Sequence, residues 1–184
     1  PAVLTVRDGA TLGITLSAPS IHNAYTRRMR DELCLALAIA DADGSITRIV
    51  LEGAGPSFCS GGYLDEFGTL PDPATGHLIR LTRSAARLMA RASDRAEVHI
   101  HGAAMGAGIE LAAFAHRVVA DPATRIALPE LALGLLPGAG GTASLPRRIG
   151  RQRTAYMALT RAVVDATTAL RWGLLDEIRA RADW

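Results

Sequence analysis

Two glutamates stand where a charge is expensive. Glu110 is embedded among Ile109, Leu111, Ala112, Ala113 and Phe114, and Glu130 lies between Leu128-Pro129 and Leu131-Ala132-Leu133. A carboxyl group in apolar company is favoured in its neutral form, which raises its pKa and suits it to proton transfer near neutral pH. Two such groups brought together cannot easily both ionise, so one is driven toward the acid and the two roles separate. The bland reading of Glu110 is an ion pair with a nearby arginine such as Arg117. Three glycine runs, Gly61-Gly62, Gly102 to Gly108 and Gly138 to Gly141, are places where backbone N–H groups can approach a ligand closely.

Other chemistries find less support. There is no Gly-x-Ser-x-Gly elbow for a serine nucleophile. Gly138-x-Gly140-x-x-Ala143 fits a loosened dinucleotide fingerprint, yet Pro137 precedes it and the stretch after Ala143 is too short for the partner half of a nucleotide-binding unit. His99 and His101 share at most a strand face, and no Cys or carboxylate at ligand spacing completes a metal site, so both read as structural. Cys59, in a tight Gly/Ser loop, reads as packing.

The elements that must position these residues follow from pattern. Val3 to Arg7 and Thr11 to Leu16 flank Asp8-Gly9 and predict an opening β-hairpin. Thr26 caps a helix with Met29, Leu33, Leu37 and Ala40 on one face, ended by Asp43-Gly44, and Ile46 to Glu52 is a buried strand. A strand, helix, strand order favours parallel pairing. Gly68 to Gly76 reads as a connection or flap, and Gly76 to Ser93 as one amphipathic helix. Val98 to His101 is a strand that runs into a tight glycine turn and the helix Ile109 to Ala115. Short strands Arg117 to Ala120 and Arg125 to Leu128 surround Asp121-Pro122. Helices are expected over Thr142 to Ile149 and Gln152 to Leu159, and over Ala166 to Trp172 with Asp165 as cap and Gly173 as stop.

The chain has 184 residues and is 49% hydrophobic, which suits a single domain over 1–184. Every apolar run is interrupted short of the ~18 residues that a membrane helix needs, and no export signal is visible, so the expected location is the cytoplasm. Cys34 and Cys59 do not suggest a disulfide framework. The net charge is only +2, all of the basic residues are Arg, and these are scattered, which argues against nucleic-acid binding. Arg27, Arg28 and Arg30 form either a solvated helix face or a phosphate contact.

Three segments together carry a family resemblance: Ser57 to Glu66, reading SFCSGGYLDE; His101 to Ala112, reading HGAAMGAGIELA; and Leu128 to Thr142, reading LPELALGLLPGAGGT. By their order and spacing, with Ser20-Ile-His-Asn-Ala24 before them and Asp165 to Ile178 after, the chain resembles the crotonase, or enoyl-CoA hydratase/isomerase, superfamily over essentially its whole length. The resemblance implies an α/β fold with a spiral, or superhelical, ββα core. It implies that the backbone N–H groups of Gly62 and Ala107 grip a thioester oxygen as an oxyanion hole. Glu110 then activates water and Glu130 protonates the α-carbon. Ser20, Ile21, His22, Ser60, Gly61, Tyr63, Leu64, Gly106, Gly108, Pro137 and Gly138 fall at substrate- or CoA-binding positions.

The activity so implied is hydration of a 2-enoyl-CoA, because adding H and OH requires both an aligned water and a delivered proton. The alternatives are isomerisation or other enolate chemistry on an acyl-CoA, or a non-catalytic protein that binds CoA or a partner. No cofactor beyond the substrate's own CoA and no metal is implied, nor a nucleic-acid or membrane partner; assembly as a homotrimer or a dimer of trimers is. Three departures stand out. Tyr63 replaces a common Asp, Ala107 replaces a frequent Gly, and the usual C-terminal helical trimerisation region is largely absent from this stretch.

Overall fold

The computed structural model describes residues 1–184. The chain opens with β1 (Val3–Asp8) and β2 (Thr11–Leu16), paired antiparallel from Val3↔Leu16 to Asp8↔Thr11. Of the turn residues only Gly9 has positive φ, the II′ arrangement in which glycine takes the first central position. Thr26 caps α1 (Arg27–Ala42) by accepting from the Met29 N–H, and Met29, Leu33, Ala36, Leu37 and Ala40 form its buried stripe. The helix crosses over to β3 (Arg48–Gly53), which pairs parallel with β2, as the strand, helix, strand order predicts.

The segment after β3 departs from expectation. Gly76 to Ser93 is two helices: α2 (Pro73–Thr82) and α3 (Ala85–Arg91). Ser84 breaks the run because its side chain caps α3, accepting from the Arg87 N–H. The expected connection Gly68 to Gly76 already contains the start of α2, with Asp72 as cap and Pro73 in the first turn. Leu78 and Leu81 of α2 are exposed, so its apolar face meets solvent and only α3 reaches the core, through Ala85 and Met89.

Beyond α3 the chain alternates between two sheets. β4 (Ala96–Ile100) joins the first sheet and β5 (Ala103–Met105) a second, followed by α4 (Ala107–Ala112). β6 (Arg117–Ala120) returns to the first sheet, and β7 (Arg125–Ala127) to the second beside β5. The glycine stretch expected as one tight turn therefore holds a strand of its own. α5 (Gly141–Thr160), kinked at Gly150, precedes β8 (Val164–Asp165), α6 (Ala166–Trp172) and β9 (Glu177–Ile178). Asp165 caps α6, and Gly173 ends it in the left-handed region.

The first sheet runs β1-β2-β3-β4-β6-β9, parallel except for the hairpin, and the second runs β5-β7-β8. Two turns of this spiral, β4-β5-α4 and β6-β7-α5, each place one strand in each sheet and then a helix. A single cluster of 39 buried residues fills the interior. No helix is long and apolar enough to cross a membrane.

Candidate active site

Two turns of the spiral lie side by side where the glycine runs meet. Cys59 pairs in parallel with Ala104: its N–H donates to the Ala103 carbonyl at 3.0 Å, and its carbonyl accepts from Met105 at 2.9 Å. Gly62 and Ala107 each stand three residues past this bridge, on parallel segments. Ala107 is the first residue of α4, where N–H groups have no intrahelical acceptor. Neither the Gly62 nor the Ala107 N–H finds an acceptor within the chain. Tyr25 steadies Gly62 from behind, its N–H donating to Gly61 O at 2.7 Å and its carbonyl accepting from Tyr63 at 3.4 Å.

Glu110 is one turn into α4 from Ala107 and is 1% exposed. Its Oε2 accepts from Ala139 N–H at 2.8 Å and from Gly141 N–H at 2.7 Å. Ser144 Oγ donates to the Glu110 carbonyl at 2.7 Å, tying α5 to α4. Gly141 must be glycine for this cradle, since a Cβ there would stand 2.6 Å from Glu110 Cγ. Arg117, the partner that a bland reading would give Glu110, pairs instead with Glu177.

Glu130 opens a 3-10 turn (Glu130–Leu133) and comes within hydrogen-bonding reach of Glu110. It is half-buried, and its Oε2 has no partner within the chain. Its Oε1 lies against Gly106, whose φ of +47° and lack of a Cβ leave the carboxyl room. Burial pushes the Glu110 carboxyl up to about 7, reinforced by the neighbouring Glu130 and opposed by the two amide donors. Burial also raises Glu130, opposed by its own backbone N–H and by the neighbouring Glu110. Burial thus favours the protonated form at both carboxyls, and Glu130 reinforces it at Glu110.

The early loop reaches the same place through backbone contacts. Ser20 and Ile21 lie in a 3-10 turn (Pro19–Ile21). Ser60 N–H donates to His22 O at 3.0 Å, and Ser60 Oγ to Ile21 O at 3.4 Å. Gly61 packs on Met105 O, and Gly108 on Cys59. Burial drives the Cys59 thiol up to about 12, so this sulfur is packing, as its loop suggests. The Asp65 carboxyl beside it raises the Tyr63 phenol, Leu64 is exposed, and Pro137 is buried and Gly138 exposed in the loop that holds Glu110. Leu64, Phe67, Gly68, Leu133 and Leu135 line an apolar groove of about 450 Å³, and the Phe67 ring lies against Gly62.

Sequence reasoning missed two supports. Asn23 is fully buried with φ +53°; its Oδ1 accepts from Ala18 N–H, and its Nδ2 donates to Ala54 O and Ser57 O, each at 2.8 Å. Asn is among the few non-glycine residues that adopt this conformation readily, which was the available signal. The second is the cradle: the Gly138 to Gly141 run, read as a place for ligand, commits two of its amides to Glu110. The other polar candidates are structural. His99 Nε2 meets Glu97 Oε1 at 2.6 Å, and both His99 and His101 pack on Trp184. Arg27, Arg28 and Arg30 pair with Glu66, Glu32 and Asp31, as a solvated helix face would.

Residues 7–184 match the family model described as enoyl-CoA hydratase/isomerase. The chain is 32% identical over 177 residues to the 2,3-dehydroadipyl-CoA hydratase of Escherichia coli, covering 96% of this chain and 68% of that protein. It is 34% identical over 166 residues to the peroxisomal bifunctional enzyme of Danio rerio, covering 90% of this chain but only 22% of that one. The crystal structure of enoyl-CoA hydratase from Thermoplasma volcanium superposes with a TM-score of 0.90 at 30% identity, covering 99% of this chain and 73% of that chain. With its ββα spiral and its motifs in order, the chain belongs to the enoyl-CoA hydratase/isomerase family, within the crotonase superfamily.

Proposed function

We propose that the chain hydrates a 2-enoyl-CoA thioester, with Gly62 and Ala107 as oxyanion donors and Glu110 and Glu130 as the acid and base. One observation carries the reading: two amides without acceptors lie beside two neighbouring carboxyls withdrawn from solvent, Glu110 on α4 and Glu130 against Gly106. In the cycle proposed here the pair shares one proton. Polarising the thioester carbonyl draws electrons from the double bond and leaves the β-carbon open to water. Charge then accumulates on the thioester oxygen, where each preorganised donor contributes ~3–4 kcal/mol to the barrier.

Hydration needs one proton taken and one given. The shared proton passes to Glu130, leaving Glu110 as a carboxylate that its two amide bonds stabilise. Glu110 takes a proton from water as the hydroxyl oxygen bonds to the β-carbon. The electron pair of the double bond moves to the α-carbon, which takes the proton from Glu130. The pair ends with one proton, as it began, and is ready for another turnover.

The relatives' names, hydratases and hydratase/isomerases, support enoyl-CoA chemistry and leave the acyl group open. Assembly into a homotrimer or a dimer of trimers is part of the same proposal, to be measured by light scattering. Catalysis is tested by following crotonyl-CoA absorbance with the wild type and with Glu110→Gln and Glu130→Gln. The expected result is loss of the conjugated enoyl chromophore with wild type and not with either variant. A wild type that binds CoA yet leaves the chromophore unchanged at every chain length would overturn the reading. Impairment in only one variant would move it to single-acid isomerisation.

A further inference from the structure

The side of the site away from the early loop carries a cation that nothing in the chain neutralises. Arg80 lies in the last turn of α2 and is exposed. Its neighbours are engaged, Arg83 with Asp31 at 2.5 Å and Arg87 with the Leu81 carbonyl at 3.0 Å, whereas the Arg80 guanidinium takes part in no hydrogen bond or ion pair. Its Nη2 stands 3.8 Å from where a Cβ on Gly138 would be. The cation thus reaches the loop whose next residues, Ala139 and Gly141, hold Glu110. The glutamate pair does not absorb it: both carboxyls respond to burial and to each other, with no arginine among the causes.

The site also has an apolar side. Phe67 touches Gly62, and from there the groove runs along Leu64, Leu133 and Leu135, while Leu78 and Leu81 of α2 are exposed nearby. A thioester held by the two amides has the leucine groove on the Gly62 side through Phe67, and an unpaired guanidinium at the loop that holds Glu110. A planar guanidinium pairs with a carboxylate through two parallel hydrogen bonds, which fixes orientation as well as charge. Resting on the acyl-CoA reading above, we propose that Arg80 is a specificity-determining residue that binds the distal carboxylate of a dicarboxylic acyl-CoA.

The test compares two saturated thioesters of equal length, adipyl-CoA and hexanoyl-CoA, which differ only in the terminal group and cannot turn over. Calorimetric affinities are measured for wild type, Arg80→Gln and Arg80→Lys. Wild type should bind adipyl-CoA about tenfold tighter than hexanoyl-CoA. Arg80→Gln should abolish that ratio while leaving hexanoyl-CoA binding within about twofold, and Arg80→Lys should restore part of it. A wild-type ratio near one, or a ratio that Arg80→Gln leaves intact, overturns the assignment. So does an equal loss for both thioesters, which would put Arg80 on the CoA phosphates common to them. Binding is read without chemistry, so absence of hydratase activity would count against the proposed reaction and not against this assignment.

Discussion

The two sides of the site are built on opposite terms. On the floor, α4 and the Gly138 to Gly141 loop hold Glu110 with two amide donors, Ser144 locks the helix below it, and glycines stand wherever a Cβ would strike a carboxyl. On the wall, Leu64, Phe67, Leu133 and Leu135 line the groove and are exposed. The floor keeps polar groups at fixed distances at a cost in desolvation; the wall offers area without fixed partners. Chemistry common to a family belongs on the first kind of surface, and choice among acyl groups on the second.

The largest expected effect breaks the floor without unfolding it. Glu110→Gln and Glu130→Gln should each lower kcat for crotonyl-CoA by ~10²–10⁴-fold. In Glu110→Gln the new carboxamide oxygen can still accept from the Ala139 and Gly141 N–H groups, so circular dichroism should show an intact fold.

Next comes shape. Gly141→Ala places a methyl group against Glu110 and should cost about 3 kcal/mol in denaturant unfolding, with loss of activity. An unchanged midpoint would mean that the cradle yields.

Stability against pH tests the cost of the floor. Burial raises the Glu110 pKa to about 7, so the folded chain keeps its proton to a higher pH than the unfolded chain does. Stability from this group is full below the ordinary carboxylate range, declines as pH rises toward about 7, and levels off above it. The decline is on the order of 2–3 kcal/mol, and Glu110→Gln should remove it. A wild type that gains stability from pH 5 to 7 relative to Glu110→Gln would contradict the assigned burial cost.

Smaller still is Asn23→Ala, which strands the Ala18 N–H and two carbonyls and should cost about 2 kcal/mol. The mildest change is on the wall: Leu64→Ser or Leu133→Ser should shift stability by less than about 0.5 kcal/mol while changing how KM depends on acyl length.

The difference between floor and wall also governs how much the sequence reveals. Helices α1 and α6 are legible to the residue because Thr26 and Asp165 are strong caps and their apolar faces are buried. The hairpin is legible because Asp8-Gly9 leaves the chain one tight turn to make. In α2 and α3 the apolar period runs on through Ser84, yet on α2 it faces solvent and not the core, so periodicity reports a face without saying what covers it. β5 is hidden because three residues between glycines carry no pattern of their own; it exists through pairing with distant β7. The glutamates are conspicuous as acids among leucines, and the motifs place the amides. That Glu110 draws on Ala139 and Gly141, and that Asn23 braces the early loop, depends on approaches between segments far apart in the chain.

The bridge between Cys59 and Ala104 fixes a length as well as a contact. The two amides without acceptors, at Gly62 and Ala107, are counted off from it by the same short spacer. One residue added to or removed from either spacer slides its amide by ~3.3 Å, more than the whole span of a good hydrogen bond at ~2.9 Å. The stretch around Pro71 is free of this constraint. Insertions and deletions in relatives should therefore collect there, and the two spacers should keep their residue count even where their side chains have changed beyond recognition.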